Sequence, residues 1–362
     1  MQWSFQLCRL FGIAVRVHLT FFLLLLFVGI SEFVRTGVPY AIRGMLFICA
    51  LFCCVVAHEL GHSLVARAYG VNVRQIMLLP IGGVAQMDRI PDIPRQEFFI
   101  SIAGPAVSLV LGAVFLGVAL LLSGAEALLN LGTMGGHFLA QLGVVNFALA
   151  IFNLIPAFPM DGGRVLRAIL GEHMDYAQAT RIAAVIGQGI AIMLAFVGLL
   201  FNPWLILIAV FIFLGAGQEE HMVQLRTALR GITVSQVMMT NIEVVSPEEP
   251  LGAVLARATR GPQHDFPVVH NGQLVGMITR DDMFNGLHEY GMGVPVAHVM
   301  RTDFPRIDAY LPLSDAYTVL MEAGLSSAPV TYAGQLVGLI TRDSVATAFM
   351  LSAASRRRLY GG

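Results

Sequence analysis

Up to residue 217 the sequence is a series of long apolar blocks separated by short polar segments, and this pattern restricts the possible folds more than any other feature. A helix that spans a lipid bilayer needs about 20 residues. Four of the blocks reach that length, whereas the first and the last are short. The blocks lie at 17–30, 45–68, 98–122, 137–155, 182–201 and 204–215. We therefore expect a polytopic α-helical membrane domain of about six transmembrane helices, with four or five as the alternative.

The composition excludes the common soluble classes of protein. Hydrophobic residues make up 56% of the chain and charged residues only 12%, whereas an ordinary soluble domain carries about 25% charged residues. The net charge of −1 argues against a nucleic-acid partner, because nucleic acids select basic surfaces. The partner that the composition predicts is the lipid bilayer.

The arginines predict an orientation in the membrane. With six spans and the N-terminus inside, eleven arginines up to residue 230 fall on the cytoplasmic side, and only Arg35 and Arg43 fall outside. Loops rich in positive charge stay in the cytoplasm. We expect a multi-pass protein of the cell (inner) membrane whose N-terminus and C-terminal half are cytoplasmic.

The C-terminal part contains an internal repeat with a constant offset of 62 residues. The segment 272–281 recurs as 334–343, and Val237-Met238 recurs as Val299-Met300. In each copy a helical pattern precedes two short apolar strands joined by a glycine turn. The predicted divisions are a membrane domain at 1–217, a linker at 218–232, repeats at 233–290 and 291–347, and a tail at 348–362.

The two copies resemble cystathionine-β-synthase (CBS) domains, so the predicted C-terminal module is an α/β tandem CBS (Bateman) pair. The resemblance implies a regulatory adenine nucleotide (ATP, ADP or AMP) and a homodimer formed through these domains. The family's ribose-binding signature appears as Thr279 and Asp282, whereas in the second copy Thr341 is followed by Ser344. Since serine carries no charge, we expect one good nucleotide site. The alternative is a pair that only stiffens or dimerises the protein.

The second apolar block contains the motif His58-Glu59-Leu60-Gly61-His62. Residues four apart on an α-helix differ by about 40° in direction, so both imidazoles can bind one metal ion while Glu59 reaches a water molecule held there. An ionisable residue inside an apolar span also needs a partner or a cavity. The alternatives are a histidine pair satisfied in the core and a hydrogen-bonded cluster between helices.

Two histidines leave a catalytic zinc site one protein ligand short. The best candidate for the third is Asp161, the only acidic residue between Glu126 and Glu172. The prolines before it break a helix, and irregular backbone at membrane depth is tolerated only against protein or a cavity. The alternative is that Asp161 caps a helix opened by the two glycines after it. Zinc follows from ligand type, and other divalent ions fit the same set.

These motifs resemble those of the site-2 protease family of intramembrane zinc metalloproteases, over about residues 1–217. The resemblance implies that His58, His62 and Asp161 bind one Zn²⁺ per chain and that Glu59 is the general base. A membrane core followed by paired CBS domains matches a subgroup of that family.

Two further features are carried over from the resemblance. Asn153 and Pro156 match the family's Asn-x-x-Pro ahead of Asp-Gly, which implies that Asn153 steadies the scissile backbone or its oxyanion and that Pro156 lies at the substrate. The segment 79–85 resembles the family's membrane-dipping hairpin, in which Gly82 and Gly83 permit a tight turn and a strand pairing with the unwound substrate. An ordinary cytoplasmic turn is the alternative.

The sequence therefore predicts an intramembrane zinc endopeptidase that cleaves the membrane-spanning segments of other proteins, with activity or access modulated by nucleotide. One alternative is a CBS-regulated transporter or channel, which would distribute polar groups along a pathway. Here the polar groups of the spans cluster around residues 58–62. The other alternative is a catalytically silent scaffold that senses metal or nucleotide.

Overall fold

A computed structural model describes residues 4–80, 82–87, 93–129, 131 and 137–360, with side chains described through residue 352. The chain divides into two compact units, Met1–His221 and Met222–Gly362. The predicted boundary at residue 217 falls inside a helix, α7, which continues the last apolar block through Ala228. The predicted linker therefore begins as an extension of that helix.

Five of the described helices are long and apolar enough to cross a membrane, and a sixth apolar helix, α4, is shorter. The five are α1 Leu19–Thr36, α2 Val38–Ala68, α3 Pro94–Ser123, α6 Tyr176–Phe201 and α7 Trp204–Ala228. The predicted class, a polytopic α-helical membrane domain followed by an α/β CBS pair, is confirmed.

Three lengths differ from the sequence prediction. The last block was expected to be short, but α7 has 25 residues. The fourth block, expected to span directly, forms α4 Phe138–Asn153 with 16 residues, because the proline-containing segment 154–160 leaves the helix. The first block was expected to be short, but α1 has 18 residues. A short amphipathic helix, α5 Asp161–Gly171, lies between α4 and α6.

A four-stranded sheet accompanies the helices of the first unit, and its first two strands were not anticipated from the sequence. The strands are β1 Ser4–Leu10, β2 Ile13–His18, β3 Val73–Leu79 and β4 Gly82–Met87, paired in that order. β2 and β3 are parallel, and β3 and β4 form an antiparallel hairpin. The predicted hairpin is therefore present; Ile81, within its turn, lies outside the described residues.

The second unit contains two equivalent α/β copies. The first has α8 Leu251–Arg260, β5 Phe266–His270, β6 Gln273–Ile278 and α9 Arg280–Tyr290. The second has β7 Ile307–Asp308, α10 Leu313–Glu322, β8 Ser327–Tyr332, β9 Gln335–Thr341 and α11 Arg342–Tyr360. Both copies bury a hydrophobic cluster of their own.

The predicted glycine turns join the strands of both hairpins. Asn271 and Gly272 have φ of 50° and 77°, and Ala333 and Gly334 have φ of 49° and 81°. Two consecutive positive φ values are the signature of a type I′ turn, whose twist matches that of a hairpin. The 62-residue offset is thus preserved down to the backbone torsions.

Each copy also pairs with the other at equivalent positions. Met277 in β6 bridges to Arg301, and Leu339 in β9 bridges to Met239. Because each residue of the second bridge is 62 positions from one of the first, Arg301 and Met239 occupy equivalent places opposite the two hairpins.

Candidate metal centre and nucleotide site

The structure brings His58, His62 and Asp161 together in the first unit, although Asp161 is about a hundred residues away along the chain. The two Nε2 atoms are 3.2 Å apart, and the Asp161 Oδ2 atom is 3.3 Å from Nε2 of His58 and 3.1 Å from that of His62. Both histidines are buried. Within the described residues this is the one group of three such side chains that could hold a metal ion.

The spacing and tautomer of these donors fit a zinc ion. Tetrahedral zinc with bonds of about 2.0–2.1 Å places neighbouring donor atoms about 3.3 Å apart, close to all three distances measured. His62 donates from Nδ1 to the carbonyl oxygen of Ile100 at 2.7 Å, so its Nε2 atom keeps a lone pair for a metal. Nδ1 of His58 is hydrogen-bonded to the Ser108 hydroxyl at 2.9 Å. Such partners on the far side of the ring fix the orientation of a ligating histidine.

Both of these partners lie on α3, and the residue between them makes room for the site. Ile100, Gly104 and Ser108 are spaced four apart and share one helix face. A Cβ atom at Gly104 would overlap His62 and would lie 2.7 Å from His58 Nε2. α3 therefore supplies both hydrogen-bond partners of the histidines and the space in which their Nε2 atoms converge.

Asp161 is the first residue of α5, and it does not cap that helix: Met160 is the N-cap residue and no side chain makes a cap hydrogen bond. The two glycines that follow let α5 approach the preceding segment. A Cβ atom at Gly162 would overlap the carbonyl groups of Leu154 and Ile155, and one at Gly163 would lie 2.6 Å from the Phe158 nitrogen. Close backbone contact therefore places the Asp161 carboxylate beside the histidines.

A buried ion pair holds α5 against α3. The Arg167 guanidinium donates from Nε to Glu97 Oε1 at 2.8 Å, and both side chains are almost fully buried. Arg167 also donates to Glu219 at 2.7 Å and lies over the rings of Phe158 and Tyr176. Since α3 carries the partners of the histidines and α5 carries Asp161, this pair links the two halves of the candidate centre.

Glu59 faces the hairpin. A Cβ atom at Gly83 would lie 2.6 Å from Cγ of Glu59, and the backbone N–H of Ala85 is within hydrogen-bonding reach of its carboxylate. The glycine therefore allows β4 to lie directly on the glutamate. β4 is an edge strand, since β3 is its only neighbour among the described strands.

Asn153 and Pro156 lie where α4 ends. The amide of Asn153 donates to the carbonyl of Leu149, one turn earlier, at 3.0 Å. None of its described hydrogen bonds reaches the histidines or Asp161. Pro156 is exposed in the segment between α4 and α5.

In the second unit, the Thr279–Asp282 signature forms a capping box at the start of α9. Asp282 Oδ2 accepts hydrogen bonds from the Thr279 hydroxyl at 2.6 Å and from its backbone N–H at 3.1 Å. Asp282 also accepts from the Arg301 guanidinium. Burial alone would raise the pKa of the Asp282 carboxyl, but the hydrogen bonds from Arg301 and Thr279 hold that pKa below its usual range.

The second copy lacks this charged arrangement. Thr341 precedes α11. Its hydroxyl accepts a hydrogen bond from the backbone N–H of Ser344 at 3.0 Å and is hydrogen-bonded to the Ser344 hydroxyl at 2.9 Å. Met239 stands opposite β9 where Arg301 stands opposite β6. The second copy thus keeps the side-chain cap of the helix but has neither the carboxylate nor the guanidinium of the first copy.

Comparison with known proteins accounts for both units. The model of peptidase family M50 matches residues 46–197, and the CBS domain model matches residues 234–289 and 296–351. A zinc metalloprotease of Methanocaldococcus jannaschii is 41% identical over 279 residues, which cover 77% of this chain and 78% of the relative. The chain belongs to peptidase family M50.

Another relative of this M50 peptidase covers more of its length, and two solved structures cover parts of it. A Synechocystis homologue classed with the zinc metalloproteases is 32% identical over 394 residues and spans 98% of this chain and 97% of its own. Among solved structures, the site-2 protease from M. jannaschii is 43% identical and covers 60% of this chain and 95% of its own, with a TM-score of 0.45. The CBS-domain protein CBSX2, solved in complex with AMP, is 28% identical and covers 33% and 98%, with a TM-score of 0.30.

The prediction of a site-2 protease-like metalloprotease with a CBS pair is therefore confirmed. Five residues that support the candidate centre of this M50 peptidase were not predicted from the sequence: Ile100, Gly104, Ser108, Glu97 and Arg167. One signal was available, because two serines and a Gly-Pro pair interrupt the third apolar block between residues 101 and 108. Nothing in the sequence paired Glu97 with Arg167, since they lie 70 residues apart.

Proposed function

We propose that this M50 metalloprotease cleaves peptide bonds within the membrane-spanning segments of other proteins, at a zinc site held by His58, His62 and Asp161. The observation that carries the proposal is the convergence of their three donor atoms within 3.3 Å, beside Glu59. Zinc at this site would act as a Lewis acid on the scissile carbonyl and would make a water molecule a stronger nucleophile.

Glu59 acts as the general base in this proposal. Its carboxylate accepts a proton from the attacking water and returns it to the leaving amine nitrogen. The residue follows His58 directly on α2, so the helix presents the carboxylate beside the histidine pair. Asn153 is assigned to the scissile backbone or its oxyanion.

The substrate is proposed to bind as an added strand on the open edge of β4. A transmembrane helix keeps its peptide bonds in internal hydrogen bonds and must unwind locally before hydrolysis. An edge strand offers unpaired N–H and C=O groups that can stabilise the unwound segment. Because Gly83 lies against Glu59, a strand paired at Gly82 and Gly83 would pass close to the general base, and Pro156 would line the same site.

The test is cleavage of a single-span substrate co-expressed with the full-length protein. Glu59→Gln keeps the size of the side chain but removes the base, so we expect cleavage to fall by at least about 100-fold while zinc content stays near that of the wild type. Glu32→Gln, a change at a partly exposed glutamate of α1 whose carboxylate is hydrogen-bonded to Thr36, is the matched control. Wild-type cleavage by the Glu59→Gln variant would refute this mechanism and would favour a different role for the metal centre.

The CBS pair is proposed to bind an adenine nucleotide at Thr279 and Asp282, with Thr341 in a weaker second site, and to modulate activity or substrate access. The support is the CBS family match together with the single acidic signature in the first copy. Titration of the full-length protein with ATP, ADP and AMP, followed by the cleavage assay, tests this regulation. Absence of binding for all three would contradict it.

The protein is proposed to lie in the cell (inner) membrane, with its N-terminus and CBS pair in the cytoplasm. The arginine distribution supports this orientation. Protection of the CBS unit from protease added outside intact cells tests the orientation. A homodimer through the CBS domains is proposed from the family resemblance, and the mass of the detergent-solubilised protein by light scattering tests it.

A further inference from the structure

We propose that Arg301 closes the nucleotide site of the first CBS copy and makes it select phosphorylated adenosine over the nucleoside. The inference rests on the nucleotide binding proposed above. It concerns the Asp282 carboxylate. The CBS signature predicts that this carboxylate binds the ribose hydroxyls, but in the structure it accepts hydrogen bonds from Arg301.

The hydrogen bonds of Asp282 leave no acceptor capacity for a ligand. Nε of Arg301 donates to Oδ1 at 2.9 Å and to Oδ2 at 2.8 Å, and Nη2 donates to Oδ1 at 2.8 Å. Oδ2 also accepts from the hydroxyl and the backbone N–H of Thr279. A carboxylate offers about four lone-pair sites. A ribose hydroxyl can therefore bind Asp282 only after Arg301 has released it.

The exposure of the two side chains shows which partner can move. Only 12% of the Asp282 side chain is exposed, and the capping box fixes it to the start of α9. The Arg301 side chain is 44% exposed and can swing into solvent. The guanidinium thus lies over the carboxylate and can leave without disturbing α9.

The chemistry of the ligand decides what compensates for this release. A nucleoside offers hydroxyl donors to Asp282 but no anion for the freed guanidinium. A nucleotide offers both, because a phosphate accepts two parallel hydrogen bonds from arginine. When a nucleotide binds, the Asp282–Arg301 pair is replaced by a hydroxyl–Asp282 hydrogen bond and a phosphate–Arg301 ion pair. When a nucleoside binds, only the first of these forms, so the phosphorylated ligand is favoured.

The second copy provides an internal comparison. Its residues at the two equivalent positions are Ser344 and Met239, so the acid and the arginine are both absent. Arg301, a residue of the second repeat, thus forms an ion pair with Asp282 of the first repeat. The equivalent positions of the second site, Met239 and Ser344, cannot form such a pair. Arg301→Met gives the first site the residue that the second site already has.

The experiment measures binding of AMP and adenosine to the full-length protein in lipid nanodiscs by calorimetry. For the wild type we expect AMP to bind more tightly than adenosine. In Arg301→Met, adenosine should bind more tightly than in the wild type, and the preference for AMP should shrink by about 10-fold or more, as expected for loss of a charge-assisted pair. Arg306→Met is the matched control, because Arg306 donates to the Leu274 carbonyl and none of its described hydrogen bonds involves Asp282.

An unchanged ratio of AMP to adenosine affinity in Arg301→Met would overturn the inference and leave nucleotide binding intact. Absence of binding for both ligands in the wild type and the variant would overturn the proposed nucleotide function itself, together with the inference. Arg301→Lys keeps the charge but loses the fork of donors. Its preference for AMP should lie between those of the wild type and Arg301→Met, because the charge remains and the parallel hydrogen bonds do not. A folded Lys variant with a weaker preference than Arg301→Met would also count against the inference.

Discussion

The two candidate sites of this peptidase differ in what surrounds their carboxylates. At the metal centre the Asp161 carboxylate points at two histidine nitrogens whose other ring nitrogens are already hydrogen-bonded, so its described contacts converge on a place for a cation. At the CBS site the Asp282 carboxylate is neutralised by Arg301 of the same chain. In the functions proposed above, an added cation completes the first site, whereas the second site releases an internal cation before a ligand binds.

This difference predicts how strongly each site depends on its surroundings. Buried polar groups in a low-dielectric setting lose much free energy when a partner is removed. An ion pair that is partly exposed contributes little, because water replaces what is lost. Single changes around the metal centre should therefore have larger effects than single changes around Asp282.

The largest effect is expected from Gly104→Ala. The new methyl group would occupy the space where the histidine Nε2 atoms converge, so zinc affinity should fall by at least about 100-fold, the upper range for loss of one supporting contact. The helix itself should not weaken, because alanine is a better helix former than glycine. Zinc content after dialysis against a graded chelator measures the effect.

Gly117→Ala is the control for this change. Gly117 lies on the same helix, and a Cβ atom there would meet nothing within 4 Å. It should bind zinc like the wild type. Equal zinc affinity in both alanine variants would show that α3 does not shape the metal centre.

A smaller effect is expected from Ser108→Ala, which removes the hydrogen bond to Nδ1 of His58. Loss of such a partner typically lowers metal affinity by about 10- to 100-fold, and cleavage at limiting zinc should fall in step. Ser101→Ala is the matched control, since the buried Ser101 hydroxyl has no described hydrogen-bond partner. If both variants lose zinc equally, the hydroxyl of Ser108 is not what orients His58.

The smallest effect is expected at Asp282 and depends on pH. The folded pKa of this carboxyl lies below its unfolded value near 3.8, so its stabilising effect is complete at neutral pH and is lost as the pH falls through the folded pKa. At pH 7, Asp282→Asn should weaken the first turn of α9 by about 1 kcal/mol. Hydrogen exchange of the α9 amides, measured from pH 7 to pH 3, should show a difference between the two proteins that is constant near neutral pH and shrinks as the pH falls below the unfolded pKa.

Asp281→Asn removes an exposed acid from the same turn and should change exchange much less. A difference between wild type and Asp282→Asn that persists undiminished at pH 3 would contradict the ion-pair interpretation.

The features of this protein that depend on local periodicity and length can be predicted from its amino-acid sequence. Apolar blocks of sufficient length became helices, the four-residue spacing of His58 and His62 placed both rings on one face of α2, and the 62-residue repeat reproduced the same hairpin turns. The sequence also indicated the end of α4, because its prolines cannot continue a helix.

Which distant groups meet depends on the packing of the folded chain. The convergence of Asp161 with the histidines depends on the close approach of Gly162 and Gly163 to the segment before them, and the orientation of the histidines depends on α3. The Arg167–Glu97 pair and the Arg301–Asp282 pair likewise join residues that no local pattern relates. Hydrophobic periodicity reports which face of an element is buried. It does not report which side chain of another element the fold brings against that face.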